Sequence, residues 1–217
     1  MVSKEFKPIE HGFTVRQYKD YNEYTEHQKS KLAKIDWIDK YDTVYRECLR
    51  ERLSEINIFD GVSVFSPSDK KVLCLAARVG TEVKAFKDLG AFAVGIDLNP
   101  GKDNQHVMYG DFHDIQFPDH CTDIVFTNSI DHSVEPTKMV AEIKRVLRSG
   151  GHFITELGRG EGDGGRGGGS WECLDWNKID DVIKFIESQG FTHIYSKDFN
   201  SHGRYTWGGR FVVFEVQ

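Results

Sequence analysis

The chain has 217 residues, which is enough for one domain with an ordinary hydrophobic core. Its net charge of −6 lacks the basic surplus that binding a phosphate polymer requires, so no nucleic-acid partner is expected. Four cysteines without a close pair in sequence indicate neither a disulfide framework nor a zinc site, and they favour reduced thiols inside the cell.

The N-terminal part of the chain is polar and predicts helices. Residues 41–56 place their apolar side chains on one helical stripe, which predicts an amphipathic helix. Tyrosines at 18, 21 and 24 indicate a second helix, whose rings either cover a pocket or pack on the core. We therefore assign residues 1–60 to an N-terminal helical cap and residues 61–217 to the main domain.

No segment of the sequence has the apolar character of a signal peptide or the length of a membrane span. We therefore expect a cytoplasmic protein without a membrane partner. The sequence gives no indication of the oligomeric state.

After residue 70, strands and helices alternate along the chain. The first five strands are predicted at KVLCLA, AFAVGID, QHVMYGD, TDIVFTNS and GHFITEL, with helices at GTEVKAFKDLG and PTKMVAEIKRVLRSGG. A further helix at DWNKIDDVIKFIESQG precedes two last strands, FTHIYSKDF and RFVVFEV. This order predicts an α/β fold with a doubly wound, mostly parallel, seven-stranded sheet and an antiparallel C-terminal edge.

Polar residues gather where such sheets bind ligands, beyond the carboxyl ends of the strands at the point where the strand order reverses. Asp97 ends the strand AFAVGID, at the distance from the first turn where a carboxylate accepts ribose hydroxyls. Alternatively, Asp97 caps a turn that continues into Asn99 and Pro100. Asp111 follows the next strand and can accept a hydrogen bond from an adenine amino group, beside the backbone amide of Phe112.

Four stretches in this order resemble the class I methyltransferases that use S-adenosyl-L-methionine (SAM), particularly those that methylate small molecules: VLCLAARVGTEV, AVGIDLNP, GDFHDIQFPDHCTDIVFTNSIDH and EIKRVLRSGGHFI. The resemblance covers about residues 70–156, and Ser149 stands where the family usually has a proline. It implies a Rossmann-like, SAM-binding methyltransferase domain over residues 61–217.

The resemblance also implies an enzymatic activity. This would be methyl transfer from SAM to an oxygen or nitrogen of a small-molecule acceptor by in-line displacement. The alternative is a catalytically silent module of the same fold that binds SAM or another nucleoside.

The turn after the first strand departs from the family pattern. Members usually have an acidic residue at the position of Cys74 and glycines at the positions of Ala76 and Arg78, and only Gly80 matches. The small side chains of Ala76 and Ala77 still leave room for a ligand, provided that neither residue needs a positive φ. A nicotinamide dinucleotide would need a glycine-rich helix start for its pyrophosphate, whereas SAM has no phosphate.

Two charged residues near this turn can replace the missing groups. Glu82 either takes the place of the absent carboxylate against the methionine ammonium group or caps the helix together with Thr81. Arg78 either reaches the methionine carboxylate or points to solvent. The cofactor-binding residues implied by the resemblance are Ala76, Ala77, Arg78, Gly80, Glu82, Asp97, Leu98, Asp111, Phe112 and Asn128.

Candidate catalytic residues follow the third and fourth strands. If the acceptor loses a proton, a neutral His132 is a suitable base and Asp131 can orient it; alternatively, His132 packs at the helix entrance or faces water. His113 is a second candidate, with an exposed loop position as the alternative. Alignment of acceptor and methyl group supplies much of the catalysis even without a base. The histidine spacings do not fit a metal site, so no metal is expected.

Residues 158–169 contain eight glycines and leave the fifth strand at the same edge of the sheet. Ordering such a segment carries a high entropic cost. It is either a lid over the acceptor, with Trp171 or Trp176 as a wall, or a flexible connector.

Overall fold

The computed structural model describes residues 5–31, 38–56, 66–165, 167–201 and 207–217. The predicted boundary between cap and main domain, near residue 60, lies outside the described residues. No helix in these ranges is long and apolar enough to cross a membrane.

The described chain contains two β-sheets and five α-helices. In chain order the strands are β1 (Phe6–Pro8), β2 (Thr14–Arg16), β3 (Lys71–Leu75), β4 (Phe92–Asp97), β5 (Val107–Tyr109), β6 (Thr122–Thr127), β7 (Leu147–Gly158), β8 (Leu174–Asp175), β9 (Phe191–Phe199) and β10 (Gly209–Val216). The helices are α1 (Tyr21–Lys29), α2 (Ile38–Glu55), α3 (Thr81–Asp88), α4 (Pro136–Val146) and α5 (Ile179–Ser188).

The large sheet has the strand order β5-β4-β3-β6-β7-β10-β9. Neighbours from β5 to β7 are parallel, and β10 is antiparallel to both β7 and β9. The predicted fold class is therefore confirmed. The chain runs outward from β3 to β4 and β5, then crosses back to β6, so the strand order reverses between β3 and β6. This reversal leaves a crevice at the carboxyl ends of the central strands.

Both faces of the sheet are covered by helices because its central strands are apolar on both sides. Leu73 and Leu75 of β3 join a cluster that includes α4 and α5, whereas Val72 and Cys74 join a cluster that includes α2 and α3. This alternation is the period of two that a strand imposes on its side chains. Helices on both faces hold the crevice edge in place.

The N-terminal region begins with strands that the sequence analysis did not predict. Strands β1 and β2 form an antiparallel hairpin, and β2 pairs with β8 in a small three-stranded sheet. These strands have only two or three residues each, too few for an alternating pattern to be recognised. Helix α1 follows, with the Asp20 side chain accepting a hydrogen bond from the Glu23 amide. Helix α2 confirms the helix predicted over residues 41–56.

A buried ion pair joins α2 to the sheet. Arg52 Nη1 lies 2.5 Å from Glu156 Oε1 in β7, and the Tyr45 hydroxyl donates to Glu156 Oε2 at 2.8 Å. Burial raises the pKa of Glu156, although Arg52 and Tyr45 favour its ionised form. Without Arg52, the carboxylate would be buried with no counter-ion, which is costly.

We predict that Arg52→Met lowers the free energy of unfolding by about 3 kcal/mol near neutral pH, measured by urea denaturation. Arg50→Met is the matched control, because Arg50 pairs with Asp88 at the surface at 3.6 Å and such pairs contribute about 1 kcal/mol or less.

The loss in Arg52→Met should shrink as the pH falls. Without Arg52, the folded-state pKa of Glu156 lies further above its unfolded value of about 4.3. The free energy of unfolding of the variant is therefore lowest above the folded-state pKa, and it rises again as the pH falls below that pKa. Equal losses in both variants, or a loss independent of pH, would show that the ion pair has no structural role.

Candidate functional site

A cleft with about 540 Å³ of open space lies at the carboxyl ends of the central strands. Its lining consists of Tyr24, Gln28, Lys31, Ala76, Arg78, Asp97, Leu98, Asn99, Gly110, Phe112, Ser129 and His132. The cleft follows β3, β4, β5 and β6, where the strand order reverses, as the sequence predicted.

The turn from β3 to α3 forms part of the cleft and is strained. Ala76 has φ 53° and Arg78 has φ 47°, in the left-handed region that costs a non-glycine residue about 1–2 kcal/mol. The condition that neither Ala76 nor Ala77 needs a positive φ therefore fails at Ala76. Gly80 has φ 83°, and a Cβ there would come within 2.8 Å of His106 Cβ, so this position requires glycine.

Asp97 occupies the position predicted for ribose binding and also holds two loops. Its Oδ2 accepts a hydrogen bond from the Arg78 amide at 2.9 Å, and its Oδ1 accepts one from the Asn99 amide at 2.7 Å. A carboxylate oxygen has two lone pairs, so each oxygen can accept one more bond. Both interpretations of Asp97 are thus compatible: it stabilises the turn, and it lines the cleft.

The wall after β4 and β5 is mostly apolar. Leu98 and Phe112 line it together with Gly110, where a Cβ would lie within 2.9 Å of the Ile96 side chain. Such a wall suits a flat heteroaromatic ring.

Asp111 does not line this wall. Its carboxylate accepts hydrogen bonds from the Tyr21 hydroxyl and from the His113 amide. Burial alone would raise the pKa of Asp111, but the bonds from His113 and Tyr21 hold it below its ordinary value. Asp111 therefore connects α1 to the loop after β5.

His113 is buried, not exposed in a loop. Its Nδ1 lies 2.8 Å from the Tyr21 hydroxyl, and its Nε2 lies 2.7 Å from Ser133 Oγ and accepts from the Glu135 amide at 3.3 Å. The ring is absent from the cleft lining. His113 thus lies between α1 and the start of α4. Within the described part of the chain, no group of three His, Cys, Asp or Glu side chains could hold a metal ion.

His132 lines the cleft in a fixed orientation. Its Nδ1 lies 3.0 Å from the Trp171 carbonyl oxygen, which can only accept, so we assign the proton of the neutral ring to Nδ1. Lys31 Nζ lies 3.0 Å from the remaining Nε2. Burial, Lys31 and Arg78 hold the pKa of His132 well below its ordinary value.

Asp131 is adjacent to His132 but is not its hydrogen-bond partner. The shortest distance from Asp131 Oδ1 to His132 Nε2 is 3.9 Å, so the Trp171 carbonyl and Lys31 orient the ring instead. Oδ1 itself is buried without a partner among the described residues, although about one third of the side chain is exposed. Burial raises the pKa of Asp131 to about 7, with Glu172 adding to the effect.

Glu82 lies in the first turn of α3 and is 5% exposed. Its Oε1 accepts from Asn128 Nδ2 at 3.2 Å, while its Oε2 has no partner among the described residues. Burial raises the pKa of Glu82 to about 7. The Thr81 hydroxyl donates to Asp42 at 2.7 Å, so it is not part of a capping pair with Glu82.

Glu82 and Asn128 lie just behind the cleft and do not line it. The Ser129 hydroxyl, which does line it, donates to Asn128 Oδ1 at 2.9 Å. Glu82 is therefore linked to the cleft through one amide side chain and one hydroxyl. Among the other predicted cofactor residues, Ala77 is buried in the core and Arg78 lines the cleft.

The described residues of the glycine-rich segment pack closely beside the cleft. A Cβ on Gly160 would collide with the Trp176 carbonyl oxygen, and one on Gly165 would collide with that of Arg159. The Trp176 ring is buried and donates to the Gly158 carbonyl at 3.1 Å, and the Trp171 ring stacks on His27. Neither tryptophan lines the cleft, and the glycines permit close backbone contacts. The lid stays a prediction.

Sequence reasoning missed the contribution of the N-terminal region to the lining. Tyr24 and Gln28 come from α1, and Lys31 follows its end. The tyrosine spacing indicated rings that either cover a pocket or pack on the core, and Tyr24 does both, because it is buried and part of the cleft wall. Nothing in the sequence pattern indicated Lys31.

Comparisons with known proteins agree with this geometry. Residues 73–155 match a family model described as a methyltransferase domain. A comparison with curated proteins gave no match. Among solved structures, the chain is similar to Burkholderia thailandensis 1,6-didemethyltoxoflavin-N1-methyltransferase with bound 1,6-didemethyltoxoflavin and S-adenosylhomocysteine. That similarity covers 98% of this chain and 99% of that chain, with 12% identity and a TM-score of 0.69.

Two further solved structures are similar over a smaller part of the chain. A S-adenosylmethionine dependent methyltransferase from Mesorhizobium loti has 12% identity and a TM-score of 0.54, covering 70% of this chain and 93% of that chain. The [4+2]-cyclase SpnF has 14% identity and a TM-score of 0.56, covering 77% of this chain and 80% of that chain.

The family match identifies a methyltransferase domain over residues 73–155, and the solved structures support its fold. The predicted resemblance to the class I, SAM-dependent methyltransferases is therefore confirmed.

We predict that Ala76→Gly raises the free energy of unfolding by about 0.5–1 kcal/mol, because the relief of left-handed strain exceeds the entropic cost of glycine. Ala77→Gly is the control: Ala77 has no positive φ, so glycine should destabilise there by about 1 kcal/mol. Urea denaturation of both variants checks the difference. Destabilisation by Ala76→Gly would show that the turn is not strained.

Proposed function

We propose that the protein transfers a methyl group from SAM to an oxygen or nitrogen of a small molecule bound in the cleft. The observation that carries this proposal is Asp97, a carboxylate fixed by two backbone amides at the crevice where the strand order reverses. The similar B. thailandensis protein is a methyltransferase with 1,6-didemethyltoxoflavin bound, which supports a small-molecule acceptor here. When bound, SAM supplies an electrophilic methyl group on a sulfonium.

The residues present fit SAM along the cleft. Asp97 has lone pairs left for the ribose hydroxyls, and Leu98 and Phe112 provide apolar surface for the adenine. Arg78 supplies a cation for the methionine carboxylate. The buried Oε2 of Glu82, which has no partner in the part of the chain that the structure describes, is the candidate partner for the methionine ammonium group, in place of the acid absent at Cys74.

On the acceptor side of the cleft, residues of the chain orient the acceptor and enclose it. Tyr24 and Gln28 cover the cleft from α1, and the Tyr24 hydroxyl donates to the His132 carbonyl at 3.1 Å. Enclosure excludes water and limits the acceptor to orientations in line with the methyl group, which supplies much of the rate enhancement. His132 Nε2, the unprotonated ring nitrogen, is the candidate acceptor of a proton.

We predict that Asp97→Asn weakens binding of S-adenosylhomocysteine by about 1.5–3 kcal/mol, because hydrogen bonds to a charged group have this strength. Isothermal titration calorimetry measures the loss. Asp103→Asn is the matched control, since Asp103 is exposed and outside the cleft. Equal affinity in Asp97→Asn and Asp103→Asn would remove Asp97 from the binding site.

We also predict that SAM binding near neutral pH releases a proton from Glu82. An ammonium group beside Glu82 favours its ionised form, so a pKa of about 7 falls on binding. Calorimetry in buffers of different ionisation enthalpy measures the proton release. Glu82→Gln should abolish the part that comes from this residue, and unchanged release in the variant would assign the proton to another group.

A second candidate is a catalytically silent module that binds SAM or a related nucleoside. The strained, non-glycine turn at Ala76 and Arg78 favours it, and so does the cyclase with a similar fold, because fold alone does not fix the reaction. A panel of phenolic and heterocyclic acceptors separates the two candidates. Binding of SAM without acceptor-dependent formation of S-adenosylhomocysteine would favour the silent module.

A further inference from the structure

Lys31 adds a charged group to the acceptor side of the cleft that the proposed function does not use. Its Nζ lies 3.0 Å from His132 Nε2, and both residues line the cleft. The His132 ring cannot turn away without losing the bond from Nδ1 to the Trp171 carbonyl at 3.0 Å. The two side chains therefore present a nitrogen pair with a fixed geometry.

We propose that Lys31 and His132 form an acceptor-binding pair that recognises a weakly acidic O–H or N–H group, such as a phenol, an enol or a heterocyclic ring N–H, and holds it as its anion. The inference rests on the proposed function and names the substrate class of the same cleft. It assigns to Lys31 the role of a catalytic residue that contacts the acceptor.

The position of Lys31 depends on how α1 docks. The Tyr21 hydroxyl donates to Asp111, and Gln28 Nε2 donates to the Trp171 carbonyl at 2.9 Å. Trp171 therefore holds both α1, through Gln28, and the His132 ring. This shared contact sets the distance between Lys31 and His132.

Several charged groups face the pair from the surrounding elements. Arg78 and Asp97 come from the ends of β3 and β4, Asp131 and Glu172 from the segments after β6 and before β8, and His27 from α1. Of these five, only Arg78 and Asp97 also line the cleft, and both oxygens of Asp97 already hold backbone amides. An acceptor in the cleft therefore contacts the cationic side chains, whereas the neighbouring carboxylates are either outside the lining or already hydrogen-bonded.

The proton balance of the pair fits an acidic acceptor. Burial and Arg78 lower the pKa of Lys31 to about 8, while the pKa of His132 is far lower. Near neutral pH the pair thus has one exchangeable proton, which resides on Lys31. The Lys31 ammonium stabilises the anion of a weak acid, so such an acceptor binds beside it after releasing its proton to solvent.

The transfer step then balances. The acceptor O–H or N–H proton leaves to solvent as the anion binds beside the Lys31 ammonium, and a lone pair of the anion forms the new bond to the methyl carbon. The carbon–sulfur bond breaks with its electron pair left on sulfur. An alkylammonium acceptor has no lone pair and would meet repulsion from Lys31 and Arg78, and an aliphatic alcohol is too weak an acid.

The test uses two probes of similar size, 4-nitrophenol and 4-nitrobenzylamine, with the full chain saturated with S-adenosylhomocysteine. We expect 4-nitrophenol to bind about tenfold more tightly, and to show the phenolate absorbance band at a pH about one unit below its own pKa. Lys31→Met should abolish both the preference and the shift. Lys29→Met is the matched control, because Lys29 pairs with Glu26 on α1 and is outside the cleft.

Three results would overturn the inference: equal or tighter binding of the amine, no binding of either probe at millimolar concentration, or an unchanged preference in Lys31→Met. Circular dichroism and thermal unfolding verify that each variant is folded. Binding of S-adenosylhomocysteine distinguishes a failure of this inference from a failure of the proposed function. If it binds and the phenol preference is absent, only this inference fails; if it does not bind, the proposed function fails as well.

Discussion

The contact between the Asp97 carboxylate and the Arg78 amide is the constraint on which the rest of the cleft depends. The turn after β3 holds two non-glycine residues, Ala76 and Arg78, in the left-handed region, and such a backbone persists only when its surroundings fix it. Asp97 supplies that fixation at 2.9 Å, and its second oxygen fixes the next loop through the Asn99 amide. One carboxylate therefore shapes two walls of the cleft, and it is also the group that we propose binds the ribose.

The remaining wall of the cleft comes from the N-terminal region. Polar residues that follow the central strands bind this region to the sheet. Asp111, which sequence position assigns to an adenine, accepts from Tyr21 of α1, and His113 contacts the same hydroxyl. Helix α1 in turn places Lys31 against His132. The cleft is thus assembled from the sheet edge and from α1, and the charged groups on its acceptor side exist only in that assembly.

The parts of the molecule that sequence could predict are those set by local pattern. Alternating and helical periodicities located the strands of the large sheet and the helices around them, and Asp97, Phe112 and His132, which follow the ends of these strands, line one cleft. Long-range docking could not be read in this way: nothing in the spacing of α1 indicates that Lys31 contacts a residue about one hundred positions later. The left-handed φ of Ala76 was missed because alanine gives no signal for it.

Burial of charge separates structural from functional groups in this fold. Glu156 is buried but its two oxygens have Arg52 and Tyr45 as partners, whereas Glu82 and Lys31 have pKa values displaced mainly by burial, to about 7 and about 8. A carboxyl with a raised folded-state pKa loses stability as the pH rises from about 4.3 to 7, and a lysine with a lowered one regains it only from about 8 to 10.4. Both penalties are therefore present near neutral pH. The two buried groups carry a cost in stability, and the ammonium group proposed at Glu82 and the anion proposed at Lys31 would offset it.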